Sequence, residues 1–325
     1  MPSQHWQPAT RQVVGVTESN AIAFDNAFVD NATKSVNDPS FTNSKLFNDF
    51  AVYGFVEGAV LFDGTKVSGS GVGNEASWTY TGTQYWIAGA NYNFHAVAPM
   101  TAGGWTKTAA DATSTTLSFV NNGTTDLLYD TKAQQGKVSG NEKVAFSFRH
   151  VLSKVKFSFE NAYNATNATI KVKNIKITNP HKTATVDLTA ATAWDNQTAD
   201  DLVLEFGMAT DDEATAGEKE NAEVAYAFGK TYESQNERFL IPSASPLTTY
   251  AYNVKFDVVL LVSGQEIDTY EHTVTANFAP QPGNSYDIKA VINATNIDPE
   301  HAQEPIEFTV NTLPDWGTAN NVDAQ

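Results

Sequence analysis

The sequence contains no cysteine, and only three of its 325 residues are arginine. The absence of cysteine excludes disulfide bonds, thiolate zinc centres and cysteine nucleophiles. No apolar run is long enough to cross a bilayer, and the first residues lack the apolar segment of a secretory signal. Covalent cross-links and thiol chemistry are thereby removed from consideration.

Basic residues are scarce: 20 lysines and arginines face 37 aspartates and glutamates, and the net charge is −17. Such an acidic surface repels nucleic acid and anionic lipid, so we exclude nucleic acid as a partner. Hydrophobic residues nevertheless make up 41% of the chain and aromatic residues 11%. A globular protein of this length is large enough for two domains.

Helical periodicity is also rare. Short runs of Val, Ile, Phe, Tyr and Thr alternate with clusters of Gly, Asn, Asp and Pro, which is typical of β-sandwiches and barrels. The sequence therefore predicts an all-β fold.

The most informative strand pattern covers residues 144–159. Its apolar residues first occupy even positions, as at Phe146 and Phe148, and then odd positions, as at Val155 and Phe157. Because successive side chains of a strand point to opposite faces, a shift of one residue moves the apolar set to the other face. We predict that the chain bulges here or passes from one core to another.

Other strand features are predicted locally. Asp63 and Gly64 suit a tight hairpin turn between residues 60–62 and 65–67. A second change of phase falls near Asn174, and residues 258–262, which are apolar on both faces, read as a central strand covered on both sides.

No catalytic arrangement emerges from the polar residues. The six histidines are scattered without metal-ligand spacing, and the glycines of residues 68–74 lack the lysine and helix of a phosphate-binding loop. Paired carboxylates such as Asp211 and Asp212 lie in a low-complexity acidic stretch, whereas glycoside hydrolysis needs two rigidly held acids. We predict no enzymatic activity, no metal and no cofactor.

A short span of the chain concentrates aromatic residues that could serve two purposes. Strand alternation favours core and strand-edge packing, and stacking on sugar rings, as in a lectin, is the alternative. The candidate residues are Trp78, Tyr80, Tyr85 and Trp86.

An ordered set of motifs resembles the fimbrillin (Mfa-like) family, the type V pilins and pilus-accessory proteins of Bacteroidales. The central motif consists of Phe148, His150, Leu152, Ser153, Lys154, Val155 and Phe157. Further landmarks follow in family order: Ile22 and Phe24; Phe50 to Gly54; Trp78 and Tyr80; Tyr85 and Trp86; Tyr92 to Pro99; Asp126 to Tyr129; Pro282 to Tyr286; Ile306 to Val310; Asp315 and Trp316.

The resemblance implies two tandem Greek-key β-sandwiches of transthyretin-like type, which we place at residues 1–147 and 148–325. It also implies export as a lipoprotein whose leader ends at a lipidated cysteine. That cysteine is not in this sequence, so we expect it to precede residue 1 in the precursor; a cytosolic protein is the alternative.

The two ends of the chain carry the predicted assembly sites. In stalk pilins of the family, proteolysis after an early basic residue removes a strand and opens a groove for a strand of another subunit; Arg11 fits that processing site. The alternating segment containing Ile306, Phe308, Val310 and Leu313 is either a donor strand or the closing strand of the second sandwich.

The predicted function is thus that of a structural or adhesive subunit of a cell-surface fimbria, assembled by donor-strand exchange. Its partners would be other pilus subunits and ligands on host or microbial surfaces, with membrane contact only through the lipid anchor of the precursor at the outer membrane. The alternative is a surface module that binds glycans or a host and is not built into a pilus shaft.

Overall fold

The structure is a computed structural model that describes residues 20–29, 47–70, 77–188, 193–211, 225, 227–244, 247–297 and 305–313, without the side chains of residues 26–29, 210 and 211. This part of the chain is almost entirely β. The strands are β1 (Phe24–Val29), β2 (Asp49–Val56), β3 (Ala59–Ser70), β4 (Ser77–Thr79), β5 (Asn91–Ala98), β6 (Trp105–Ala110), β7 (Thr115–Val120), β8 (Leu128–Gln135), β9 (Val144–His150), β10 (Ser153–Asn161), β11 (Ala168–Ile177), β12 (Thr183–Asp187), β13 (Ala193–Thr198), β14 (Leu204–Gly207), β15 (Ala209–Asp211), β16 (Thr231–Ser234), β17 (Arg238–Leu240), β18 (Tyr250–Val262), β19 (Gln265–Phe278), β20 (Ser285–Ile292) and β21 (Phe308–Leu313), with a single-turn helix α1 (Ala294–Ile297).

The N-terminal half is built on a seven-stranded sheet with the strand order β1-β9-β8-β5-β2-β3-β4. Its pairs are antiparallel except that β1 runs parallel to β9. The sheet curls until its two ends meet. Two hydrogen bonds join the ends: Ile22 N–H donates to Gln84 O at 2.8 Å, and Trp86 N–H donates to Asn20 O at 3.0 Å. The curl encloses a core made mainly of aromatic side chains.

The outer face of this sheet is covered by a four-stranded sheet with the order β13-β12-β7-β6. Tyr53 and Tyr129 of the large sheet share a core with Phe119 of β7 and with Val186 and Trp194 of β12 and β13. β12 and β13 therefore complete the core on the outer face of the first sheet, although they follow residue 148 in the chain. A division at residue 148 places β6 and β7 on one side and β12 and β13 on the other, so it cuts this covering sheet in two.

The C-terminal half is a sandwich of two further sheets. One has the order β15-β16-β10-β20-β21, with β17 also paired to β10, and the other has the order β14-β11-β18-β19. Phe157, Ile170, Phe256 and Ile288 are fully or almost fully buried in the core between them.

The change of phase predicted from residues 144–159 is confirmed. Even residues of β9 are buried in the N-terminal core and odd residues of β10 are buried in the C-terminal core. Only Val151 and Leu152 separate the two strands, and both are completely buried. The chain therefore passes from one sheet to another within two residues.

The predicted hairpin at Asp63 and Gly64 is wrong, because β3 continues through both residues. The turn lies instead at Glu57 and Gly58, whose φ values are 47° and 82°. Gly64, with φ of 69°, marks an irregularity in the β2–β3 pairing. An Asp-Gly pair supplies the left-handed backbone that a tight turn and a β-bulge both need, so the sequence alone did not distinguish them.

Two other local predictions are confirmed. The register of β11 against β18 shifts between Lys173 and Lys176, where Asn174 has a φ of 56°. β18 lies between β11 and β19, and its residues 258–261 are all buried, whereas Val262, the last residue of the predicted segment, is 38% exposed. The all-β fold class is confirmed as well, whereas the Greek-key description stays a prediction.

Candidate functional site

The edge strand β1 is the feature that sets the N-terminal sheet apart. It has one neighbour, β9, with Phe24 opposite Val144 and Val29 opposite Phe148, and its register shifts between Asp25 and Phe28. A single irregular parallel pairing supplies fewer hydrogen bonds than the two-sided pairing of an interior strand. The backbone contribution to holding β1 is therefore small.

The residues before β1 bind to the opposite end of the curled sheet. Ala21 forms an isolated antiparallel bridge with Tyr85, and the Tyr80 hydroxyl donates to Ile22 O at 2.8 Å. Asn20 joins two loops, because its Nδ2 donates to Trp86 O at 3.0 Å and its Oδ1 accepts from Asn141 Nδ2 at 2.7 Å. Residues 20–24 thus join the two ends of the sheet.

Phe24 occupies the centre of the aromatic core and is only 2% exposed. Its ring centroid lies between 5.4 and 6.2 Å from those of five other rings, and four of these contacts are edge-on, an arrangement that aromatic pairs favour. The five rings are those of Phe50, Phe62, Tyr80, Phe94 and Phe146. We call the space that these rings form around Phe24 the β1 slot.

The two tryptophans of the aromatic cluster lie in the core, which is the arrangement that strand alternation favoured. Trp78 packs 5.0 Å from Phe50, and Trp86 packs 4.6 Å from Tyr92; both are at least nine-tenths buried. Tyr80 is half-buried and forms one wall of the β1 slot, and of the four residues only Tyr85 is exposed. Stacking of a sugar ring on either tryptophan is excluded because the core already covers both.

The predicted donor or closing segment at the C-terminus pairs within its own chain. β21 is an edge strand antiparallel to β20. Ile306 is buried, and the ring of Phe308 lies 5.8 Å from that of Phe157; Val310 and Leu313 are half-buried. In this arrangement the segment covers part of the C-terminal core, and its role as a donor stays a prediction.

The predicted processing site, Arg11, lies outside the described residues, as do Asp315 and Trp316. The position of Arg11 in the sequence still determines what cleavage there would remove. A cut after Arg11 leaves β1, at residues 24–29, attached to the protein.

Sequence reasoning missed the partner of His150. The imidazole Nδ1–H donates to Asp126 Oδ2, and both side chains are largely buried. The pair lies where β8 begins and β9 ends, with Leu128 opposite His150 in the register. Both residues belong to the motifs that carry the family resemblance, and their presence together was the signal that could have indicated a contact between them. The contact fixes the end of β9 just before the chain enters the second core.

Replacing Asp126 by Ala is expected to lower the free energy of unfolding by about 1–3 kcal/mol, because it removes the acceptor of a buried hydrogen bond. Asp63→Ala is the matched control, since Asp63 forms an exposed ion pair with Lys107 and its loss should cost at most about 1 kcal/mol. Urea denaturation of both variants measures the difference. Equal changes in the free energy of unfolding would show that the Asp126–His150 contact stabilises the fold no more than an exposed ion pair does.

The remaining buried histidines do not form a reactive group. Burial lowers the pKa of His95, His181 and His272, because desolvation disfavours the charged imidazolium. His95 Nδ1 lies 2.8 Å from the Thr115 hydroxyl. In the part of the chain that the structure describes, no three His, Asp or Glu side chains converge as a metal site would require. None of the described helices has the length and apolar character needed to cross a membrane.

These observations define a class of protein: an all-β chain with three hydrophobic cores in its described part, whose first sheet is completed by a separate edge strand. Comparison with known proteins gives the family. A family model described as fimbrillin-like matches residues 32–314, and the chain belongs to that family. The family predicted from the motifs is thereby confirmed. The match begins after β1 has ended at Val29.

Solved structures agree with the fold. A fimbrial protein from Bacteroides vulgatus is 15% identical, with a TM-score of 0.61, and the match covers 90% of this chain and 99% of that one. The fimbrial anchor protein Mfa2 from Porphyromonas gingivalis is 11% identical, with a TM-score of 0.36 and coverage of 91% and 98%. At 15% identity the first similarity shows the fold alone. No curated protein matches the chain by sequence.

Proposed function

We propose that this protein is a structural and adhesive subunit of a type V pilus, and that subunits join by exchanging a strand at the β1 slot. The precursor would be exported as a lipoprotein to the outer membrane, and the mature subunit would stand at the cell surface. Its partners would be other pilus subunits, together with ligands on host or microbial surfaces. Membership of the fimbrillin-like family supports this proposal.

The observation that carries the proposal is the way β1 is held. Its backbone pairs with one strand only, whereas Phe24 contacts five rings. Removal of β1 would expose those rings to water and leave the free edge of β9 without hydrogen-bond partners, both of which are unfavourable. An empty slot would therefore bind another strand that offers the same backbone and a large apolar side chain.

Exchange requires β1 to become free of the rest of the chain. A cut after Arg11 shortens the leader but retains β1, so a strand of another subunit would have to displace it. A second cut between Val29 and Asp49 would release β1 completely; the basic residues in that interval are Lys34 and Lys45. We propose Arg11 as the first processing site and release of β1 as the step that opens the slot.

The incoming strand must carry an apolar residue at the position of Phe24. The segment from Ile306 to Leu313 offers apolar residues at alternate positions 306, 308 and 310, and it lies at a sheet edge in its own chain. We propose this segment of a second copy as the donor.

The experiment introduces a cleavage sequence for a specific protease between residues 34 and 40 of the full chain. The folded protein is cut and then mixed with a fluorescent peptide of residues 20–29. We expect the peptide to replace β1 and its fluorescence anisotropy to rise. The uncut protein should bind little peptide, because β1 remains tethered at high effective concentration.

A peptide carrying Phe24→Asp is the matched control, because a carboxylate cannot enter the aromatic slot without a large desolvation cost. A peptide of residues 305–313 tests the proposed donor. Equal binding of the wild-type and Phe24→Asp peptides would refute the slot. If the peptide of residues 20–29 binds and the peptide of residues 305–313 does not, only the choice of donor is refuted.

A further inference from the structure

Most of the exposed large apolar side chains lie at the two ends of the protein. Eleven such residues are exposed in the described part of the chain. Four lie at the N-terminal end and four at the C-terminal end, and the other three lie elsewhere. The first group comprises Val60, Tyr85, Ile87 and Val138, and the second comprises Phe228, Val262, Ile267 and Val291.

Strand directions establish where these groups lie. β9 runs from Val144 toward the junction at Val151, so its start and the paired ends of β8, β5 and β2 lie away from the junction. In the second half, Gly283 N–H donates to Leu152 O at 2.9 Å, which places the turn between β19 and β20 at the junction. The turn between β18 and β19, at Ser263 and Gly264, therefore lies at the far end.

The apolar residues at the N-terminal end are held on ordered loops. Gly89 N–H donates to Gly136 O at 2.8 Å, and Gly136 N–H donates to Ala90 O at 2.9 Å. These bonds join the loop that carries Ile87 to the loop that carries Val138, which is 82% exposed. Apolar side chains presented to water on loops held in place are typical of contact surfaces.

Charges beside the two patches are complementary. Lys137 precedes Val138, whereas Glu266 and Asp268 flank Ile267 near the turn between β18 and β19; all three charged residues are exposed, and Glu266 also lies 3.5 Å from Lys171 of its own chain. Opposite charges around apolar centres orient an encounter and disfavour contact between like patches. Contact between the N-terminal end of one copy and the C-terminal end of another is thus favoured over contact between two like ends.

We infer that copies of this chain pack end to end, with Lys137 and Val138 of one copy against Glu266, Ile267 and Asp268 of the next. Because the two patches differ, the contact is heterologous and extends into an open array rather than closing into a dimer. This contact deepens the proposed pilus assembly, and it uses surfaces separate from the β1 slot.

These 325 residues contain no cysteine, which permits a direct test. Val138→Cys and Ile267→Cys are introduced singly and together into the full chain, which is then treated with a short bismaleimide. The double variant should form a ladder of linear multimers, and a mixture of the two single variants should stop at dimers. Val120→Cys paired with Ile267→Cys is the control, because Val120 is exposed but lies away from both ends.

A charge exchange provides the second arm. Lys137→Glu in the double-cysteine chain should lower the yield of multimers about three- to fivefold, and adding Asp268→Lys should restore it. Dimers formed by either single variant alone, or a double variant that stays monomeric at millimolar concentration, would overturn the proposal. The peptide assay at the β1 slot is independent of these surfaces, so failure of end-to-end packing would be distinguishable from failure of strand exchange.

Discussion

Phe24→Ala is expected to lower the free energy of unfolding by about 3–5 kcal/mol, the range for removal of a buried phenylalanine ring. The variant loses contacts with all five rings of the β1 slot. The surrounding rings are held by the curled sheet, so they can move only partly into the cavity that the missing ring leaves. Urea denaturation followed by tryptophan fluorescence measures the change, because Trp78 and Trp86 are buried in the same core.

Phe228→Ala is the matched control, since Phe228 is 55% exposed and its truncation should change stability by no more than about 0.5 kcal/mol. The Phe24 variant should also bind the peptide of residues 20–29 without proteolytic cleavage, because its own β1 is held weakly. If both variants unfold alike, β1 is not anchored by its aromatic residue, and the slot would have to be assigned to other contacts.

A fragment of residues 1–147 is expected to lack a cooperative unfolding transition, although the sequence places a domain boundary at its end. It ends before Phe148 and lacks β12 and β13, which supply Val186 and Trp194 to the core beneath Tyr53 and Tyr129. The outer face of the large sheet would then expose apolar side chains to water. Near-UV circular dichroism and thermal unfolding of the fragment, compared with the full chain, measure the loss.

Mixing the fragment with a second fragment of residues 148–325 serves as the control. Recovery of the near-UV signal would show that the missing strands, rather than damage to the fragment, cause the defect. A fragment that melts cooperatively near the temperature of the full chain would instead show that residues 1–147 fold independently and that the covering strands are dispensable.

Local features of this fold could be predicted from the sequence because they depend on the alternation of side chains along a strand. The slips at Val151 and Asn174 were visible for that reason: each sends apolar residues to the opposite face, and only a bulge or a change of sheet permits this. The doubly covered segment could be predicted as residues 258–262, because apolar side chains on both faces require cover on both faces; the cover ends one residue earlier, at Leu261.

Features that depend on pairing between distant strands could not be predicted in the same way. Nothing in residues 24–29 shows that they run parallel to β9, and nothing in β12 and β13 shows that these strands return to cover the first sheet. Alternation records which face of a strand is buried but not which strand lies beside it. Alternation favoured packing for Trp78 and Trp86, but the rings that cover them could not be named, because those rings come from distant strands.

The connection between the two cores has a mechanical consequence. Only Val151 and Leu152 connect β9 to β10, and both are completely buried, so the connection has no flexible linker that could extend. Tension applied along a filament would pass directly from one half to the other, loading the hydrogen bonds that join β10 to β20 in shear. A subunit made in this way would resist swivelling under flow and would transmit a pull on its far end to the cell with little extension.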